Sequence, residues 1–181
     1  MSLSQRRRHG RLRQLCAVFA HLVSVVRGDI YRRLMGYPLR STFPPGTYHV
    51  VDRATGGIRL FHDRIDREHL LSLFAVIRKR EDWSCLAYCL MGTHWHFVLE
   101  TPTELSRGMQ WLKSMYARGF NERHERKGAL FEERFWSGPI ETEEALAATI
   151  QYVVYNPVRA GLCSEAHEWR WTGGQVAHLV S

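Results

Sequence analysis

Residues 83–100 read WSCLAYCLMGTHWHFVLE, and the pattern of this segment is the starting point for predicting the fold. Trp83–Met91 is a continuous apolar run, Gly92 and Thr93 supply a short turn, and His94–Glu100 alternates between polar and apolar side chains. Two strand-like runs joined by a short turn predict a β-hairpin.

The segments around the hairpin alternate between strand and helix patterns. Residues 47–53 are β-like, and residues 66–80 carry apolar side chains at helical spacing behind a candidate N-cap at Asp63 or Asp66. The elements expected after the hairpin are a helix opening at Thr103 or Ser106 and running to about residue 125, a strand at 129–136, a turn at Gly138-Pro139, and a helix at 142–155 that Pro157 ends. The order β-α-β-β-α-β-α predicts an α+β fold of ferredoxin-like or RRM-like type, an antiparallel sheet with helices packed on one face.

Charge divides the chain into two expected domains. Residues 1–40 hold nine Arg and one acidic residue, whereas residues 41–181 hold 16 basic and 17 acidic residues. We therefore expect a basic N-terminal arm, helical in part, at 1–40 and the main domain at 41–181. A basic arm is a common way to bring a protein to a polyanion. The arginines of this arm that would contact nucleic acid are Arg6, Arg7, Arg8, Arg11 and Arg13.

Cysteine usage and hydropathy predict a cytoplasmic protein. The four cysteines show no secreted disulfide framework and no zinc spacing, so free thiols in a reducing compartment are expected. The apolar stretch Leu15–Val26 is too short to span a membrane.

His94 and His96 form the first candidate site. On a strand they project from one face while Trp95 projects from the other. Two imidazoles so placed can reach one metal ion. An isolated His-x-His is often structural, but two histidines on a face otherwise suited to packing need a polar partner.

Tyr152 and Asn156 form the second candidate site. They stand at i and i+4, so a helix would present both on one face, above the histidine pair. Asn156 precedes Pro157, which makes its side-chain direction uncertain at this point. Taken alone, the segment is better explained as core packing followed by a helix stop.

Together, the spaced motifs of residues 47–173 resemble the HUH single-tyrosine transposases of the insertion-sequence-200 type, and most closely their REP-associated branch. The motifs that carry the resemblance are Tyr48-His49-Val50, Leu90-Met91-Gly92-Thr93-His94-Trp95-His96, Met115-Tyr116-Ala117-Arg118-Gly119-Phe120-Asn121, Gly128–Phe135, and Tyr152–Leu162. They cover about two-thirds of the chain in the family's order. The arm before residue 41 lies outside the match.

The resemblance implies a metal-dependent enzyme that nicks and rejoins single-stranded, hairpin-bearing DNA through a 5′-phosphotyrosine. It assigns Tyr152 as the nucleophile and His94, His96 and Asn156 as ligands of Mg²⁺ or Mn²⁺. Tyr155 and Tyr116 are rival nucleophiles. The implied partner is DNA with a REP-like hairpin, so the protein would associate with the nucleoid; the sequence leaves open whether it acts as a monomer or a homodimer.

Contacts to DNA are assigned by residue type. Arginine and lysine suit phosphates, and tryptophan suits unpaired bases. The candidates in the main domain are Lys113, Arg118, Arg134, Arg159 and Trp136. The alternative function is a domesticated, non-catalytic protein that binds single-stranded nucleic acid without metal. An RNA-binding RRM is disfavoured because the strands lack the RRM aromatic signature.

Overall fold

A five-stranded, fully antiparallel sheet forms the centre of the domain in the computed structural model, which describes residues 44–132 and 134–179. The strands are β1 (Gly46–Arg53), β2 (Ser84–Leu90), β3 (His94–Thr101), β4 (Trp136–Pro139) and β5 (Thr172–Gly173), in the order β4-β1-β3-β2-β5. The expected hairpin is confirmed: β2 and β3 pair across the turn, closed by a Met91 N–H bond to the His94 carbonyl at 2.9 Å.

Two long helices cover one face of the sheet. They are α1 (Arg64–Arg80) and α2 (Leu105–Arg123). Asp63 caps α1 by accepting a hydrogen bond from the Asp66 backbone N–H at 3.2 Å, which satisfies a donor that the first helical turn leaves free. The sheet side of this core is built from alternate residues of β3, Trp95, Phe97 and Leu99, all fully buried. Helix α2 begins at Leu105, between Thr103 and Ser106, the two residues predicted to open it, and its N-cap Glu104 makes no side-chain capping bond.

The third helix lies on the opposite face. It is α3 (Glu143–Val154), capped by the Thr142 hydroxyl, and it is followed by the single turn α4 (Asn156–Arg159). Helix α3 buries Val153 and Val154 against β2 and against Val98, the β3 residue that points away from the first core. The α+β class and the antiparallel sheet are thus confirmed, but the helices occupy both faces.

The fourth strand lies later in the chain than predicted. Of residues 129–136, Phe131 makes an isolated bridge to Ala54, and β4 begins at Trp136 and continues through the predicted Gly138-Pro139 turn. A proline is tolerated there because β4 is an edge strand whose outer side has no ladder to complete.

The remaining expectations from the sequence concern the basic arm, the cysteines and membrane-spanning segments. The basic arm, and with it Arg6, Arg7, Arg8, Arg11 and Arg13, lies outside the described residues. Within the described ranges, Cys85, Cys89 and Cys163 are free thiols, as expected. No helix in those ranges has the length and apolar character needed to cross a membrane.

Candidate active site

The histidine pair lies on the sheet face that α3 covers. His94 and His96 project from β3 on one side, with ring centroids 5.0 Å apart, while Trp95 is fully buried on the other. The strand alternation expected from the sequence therefore holds. Because β3 is flanked on both sides by paired strands, the two imidazoles stand on the centre of the sheet.

Helices α3 and α4 bring Tyr152 and Asn156 onto this pair. The Asn156 Nδ2 atom lies 2.9 Å from His96 Nε2, and the Tyr152 ring centroid lies 5.8 Å from that of His96. The helix breaks at Tyr155, where φ −87° and ψ 5° lie in the bridge region and depart from helical values. Both side chains nevertheless meet at His96. The structure thus brings together all four residues singled out in the sequence.

His49 is a fifth member that the sequence reasoning missed as a site residue. Its Nε2 lies 3.0 Å from His96 Nδ1, and the two rings stack at 5.2 Å with planes 20° apart. The Tyr152 ring meets it edge-on at 6.0 Å. The signal was present in the alternation of β1, which places His49 opposite the buried Tyr48 and Val50, but the pairing of β1 with β3 had to be known to use it.

Burial keeps the three imidazoles neutral. It lowers the pKa of His49 to about 4 and, helped by the Arg53 charge, the pKa of His94 to about 4. The pKa of His96 falls well below its usual range, first through burial and then through the charges of its histidine and arginine neighbours. At neutral pH each ring therefore keeps one nitrogen lone pair.

Hydrogen bonding then decides where the lone pair of His96 lies. An amide nitrogen can only donate, so Asn156 Nδ2 donates to His96 Nε2, and that nitrogen carries no proton. In this orientation of the Asn156 amide the proton of His96 lies on Nδ1, 3.0 Å from His49 Nε2, which can accept it. A bare Nε2 is the form in which an imidazole binds a metal.

Two arginines flank the group. The Arg159 guanidinium lies 4.2 Å from the centroid of the Tyr152 ring and donates a hydrogen bond to the Tyr152 carbonyl oxygen. Arg53, not singled out in the sequence, pairs with His94 across β1 and β3. Both charges act on His96, so the site is electropositive and suited to a phosphate.

The rival tyrosines are placed differently. Tyr116 is fully buried in the core on the other face, where its hydroxyl donates to the Leu60 carbonyl and burial raises its pKa. Tyr155 packs against the core cluster beneath α3. Tyr152 is the tyrosine whose ring contacts both His49 and His96.

The candidate DNA contacts are scattered. Trp136 stands at the rim of the site, 44% exposed, with its ring edge-on to His49 at 5.3 Å. Arg134 is exposed in the loop before β4. Arg118 is exposed on α2, across the sheet from the histidines. Lys113 is held inside the domain by Asp52, with Nζ 3.0 Å from Oδ2.

The donor set fits a divalent metal. Across the described residues no three His, Cys, Asp or Glu side chains cluster in a way that could hold an ion, so a metal here would rest on His94, His96 Nε2 and the Asn156 amide. Two neutral imidazoles and one carboxamide oxygen suit Mn²⁺ or a similar ion and leave positions open for substrate. To bind through oxygen, the Asn156 amide must turn over, since its nitrogen now faces His96.

Fold and site together define a class, a five-stranded antiparallel α+β domain with a histidine pair beneath a tyrosine and an asparagine from one helical segment. The chain belongs to the family of IS200-like transposases, whose profile matches residues 44–156. That membership confirms the family expected from the spaced motifs.

Relatives agree with this assignment. A curated protein from Haemophilus influenzae, described as a REP-associated tyrosine transposase, is 24% identical over 99 residues, 48% of this chain and 56% of that protein. The chain thus spans about half the length of this relative. A solved REP-associated tyrosine transposase bound to a REP hairpin superposes with a TM-score of 0.65 at 15% identity, covering 76% of this chain and 82% of the other. The tRNA(His) guanylyltransferase of Saccharomyces cerevisiae reaches 0.50 at 8% identity, covering 74% and 67%. At these identities, the two structural similarities are evidence only of a shared fold.

Proposed function

We propose that this protein nicks and rejoins single-stranded DNA through a covalent bond to Tyr152. The observation that carries the proposal is the convergence of the Tyr152 ring and the Asn156 amide on His96, from a helix and a strand distant in sequence. A structural histidine pair would need a polar partner but not a phenol at the same place.

The proposed reaction is a transesterification. The Tyr152 phenolic oxygen attacks the phosphorus of a phosphodiester and loses its proton, while the bond from phosphorus to the 3′ oxygen breaks and that oxygen takes up a proton. The products are a 5′-phosphotyrosine and a free 3′-hydroxyl. A 3′-hydroxyl attacking the phosphotyrosine reverses the step and rejoins a strand, so neither a nucleotide cofactor nor water is consumed.

The chain's own residues would hold the reacting groups. His94, His96 and Asn156 would hold Mg²⁺ or Mn²⁺, which when bound supplies Lewis-acid activation of the phosphate and orients it for in-line attack. Arg159 steers the Tyr152 side chain through its contact with the ring and adds positive charge beside the phosphate. Arg53 adds charge from the other side of the histidine pair.

The structural relative is bound to a REP hairpin. The proposed substrate of this protein is DNA with such a hairpin beside an unpaired segment. Trp136 offers an exposed indole for an unpaired base next to the reacting phosphate. Arg134 and the arginines of the N-terminal arm would contact the backbone, which makes binding salt-dependent. With chromosomal DNA as its substrate, the protein would act in the cytoplasm, at the nucleoid. Lys113 is not part of the proposed DNA surface because its ammonium group forms an ion pair with Asp52.

The test uses purified protein with 5′- and 3′-labelled hairpin oligonucleotides, in Mn²⁺, Mg²⁺ or EDTA. We expect a metal-dependent covalent adduct on the fragment with the new 5′ end, absent from Tyr152→Phe and retained by the matched control Tyr155→Phe. Adduct in Tyr152→Phe would show that another tyrosine is the nucleophile. Oligonucleotide binding without any adduct across varied hairpins would favour the non-catalytic binding protein.

A further inference from the structure

We propose that His49 is a positioning residue of the metal site, which holds His96 with its Nε2 lone pair aimed at the ion. The inference deepens the proposed function and rests on its metal site. It concerns a residue that is not among the expected ligands and that lies on β1, the strand next to the one that carries His94 and His96.

The first step is the direction of the hydrogen bond. His96 has two ring nitrogens, and the Asn156 amide donates to one of them, Nε2. His49 Nε2, 3.0 Å from His96 Nδ1, is therefore an acceptor for the remaining N–H. Because the Asn156 amide must turn over before its oxygen can face a metal, the acceptor at Nδ1 is the partner that would still favour a bare Nε2.

The second step is that packing alone does not account for a histidine at this position. His49 lies between the stacked His96 ring and the edge-on rings of Trp136 and Tyr152, a surrounding that a phenylalanine would also satisfy. Burying the polar nitrogens of an imidazole costs stability unless they are hydrogen-bonded. The use visible in the structure is acceptance from His96.

The third step is the magnitude. Partners that orient a metal-binding histidine through its second nitrogen are worth about 10- to 100-fold in metal affinity. His49 supplies this partner through a neutral imidazole, where many metal sites use a carboxylate. A neutral acceptor orients the ring without adding negative charge that would compete with a phosphate for the ion.

The experiment measures Mn²⁺ binding without DNA, by calorimetric titration of the full-length protein. We expect His49→Phe, which keeps the ring packing, to lower Mn²⁺ affinity about 10- to 100-fold. We expect His49→Gln, whose amide oxygen can accept from His96, to retain most of the affinity. His69→Gln, a change at an exposed histidine on α1 across the sheet, is the matched control and should bind as wild type.

A second measurement needs no variant. Long-range ¹H–¹⁵N NMR spectra of the metal-free wild type should show a protonated Nδ1 and a bare Nε2 for His96. A protonated Nε2 overturns the inference, as does unchanged Mn²⁺ affinity in His49→Phe. If the wild type and His69→Gln bind no Mn²⁺ although His96 has the expected tautomer, the metal site of the proposed function fails instead, and His49 loses its role with it.

Discussion

Asn156 lies 2.9 Å from His96 although 60 residues separate them, and this one hydrogen bond joins the helical segment α3–α4 to the centre of the sheet. It also directs an N–H group at the His96 nitrogen that would bind a metal. Metal binding and this hydrogen bond therefore exclude each other.

That exclusion gives a prediction for Asn156→Ala. Losing the amide leaves the buried His96 Nε2 without a donor, so the free energy of unfolding of the metal-free protein should fall by about 1 kcal/mol. Urea denaturation in EDTA measures this. Mn²⁺ affinity should fall in parallel, whereas Asn156→Asp should bind Mn²⁺ at least as tightly as wild type because a carboxylate replaces the amide oxygen. An Asn156→Ala protein of unchanged stability and Mn²⁺ affinity would contradict the assignment.

The neutral histidines predict how stability depends on pH. The pKa of His49 and of His94 falls from 6.5 to about 4 on folding, so between these values the unfolded chain binds more protons than the folded one. Stability is then complete above pH 6.5 and is lost as the pH falls toward 4, by at most about 1.4 kcal/mol per pH unit for each ring. Denaturation curves of metal-free protein at several pH values check this. The free energy of unfolding should change less steeply with pH in His94→Gln than in the wild type. An equal slope would mean that the His94 imidazole does not contribute to the pH dependence.

Trp136 should matter for DNA and little for folding. Its indole is 44% exposed, and replacing it with alanine removes a stacking surface worth about 1–3 kcal/mol per base. Fluorescence anisotropy with hairpin oligonucleotides carrying an unpaired flank should show the loss for Trp136→Ala and a smaller one for Trp136→Phe. If both variants bind the flanked hairpin as tightly as wild type, the unpaired base does not stack here.

Gly138 offers a way to move Trp136 without changing it. A Cβ atom at Gly138 would come within 2.7 Å of the indole, so Gly138→Ala must displace the ring from the site. The ring is partly exposed and free to swing, so the melting temperature should change little while affinity for the flanked hairpin falls as in Trp136→Ala. A crystal structure of the variant with the indole unmoved would refute this reasoning.

Lys113 should behave as a residue of the core. Removing its ammonium in Lys113→Met leaves Asp52 buried without its partner, at a cost of about 3–5 kcal/mol in the free energy of unfolding. Burial already raises the pKa of Asp52 to about 6 with the lysine present. Lys113→Met combined with Asp52→Asn should recover most of the loss in urea denaturation. If Lys113→Met has unchanged stability but weaker and less salt-dependent DNA binding, Lys113 contacts DNA instead.

Local patterns in the sequence were sufficient for the parts of the site that lie on one element. Alternation along β3 places His94 and His96 on one face, and helical spacing places Tyr152 and Asn156 together. The class of fold follows from the order of these patterns.

Contacts between distant elements could not be predicted in this way. His49 lies in the site because β1 pairs with β3. Lys113 is unavailable for DNA contacts because its ammonium group binds Asp52 on β1. The strand at Trp136–Pro139 was misplaced because glycine and proline normally mark turns, and only its position at the edge of the sheet makes them acceptable.

The order in which the site is assembled along the chain has a consequence for the cell that makes the protein. The histidines of β1 and β3 leave the ribosome well before α3 and α4, which bring the proposed nucleophile. A nascent or prematurely terminated chain that stops at β4 contains His49, His94 and His96 but lacks Tyr152, the residue proposed to attack DNA. Under the proposed function, unfinished copies of the protein would therefore be unable to cleave DNA.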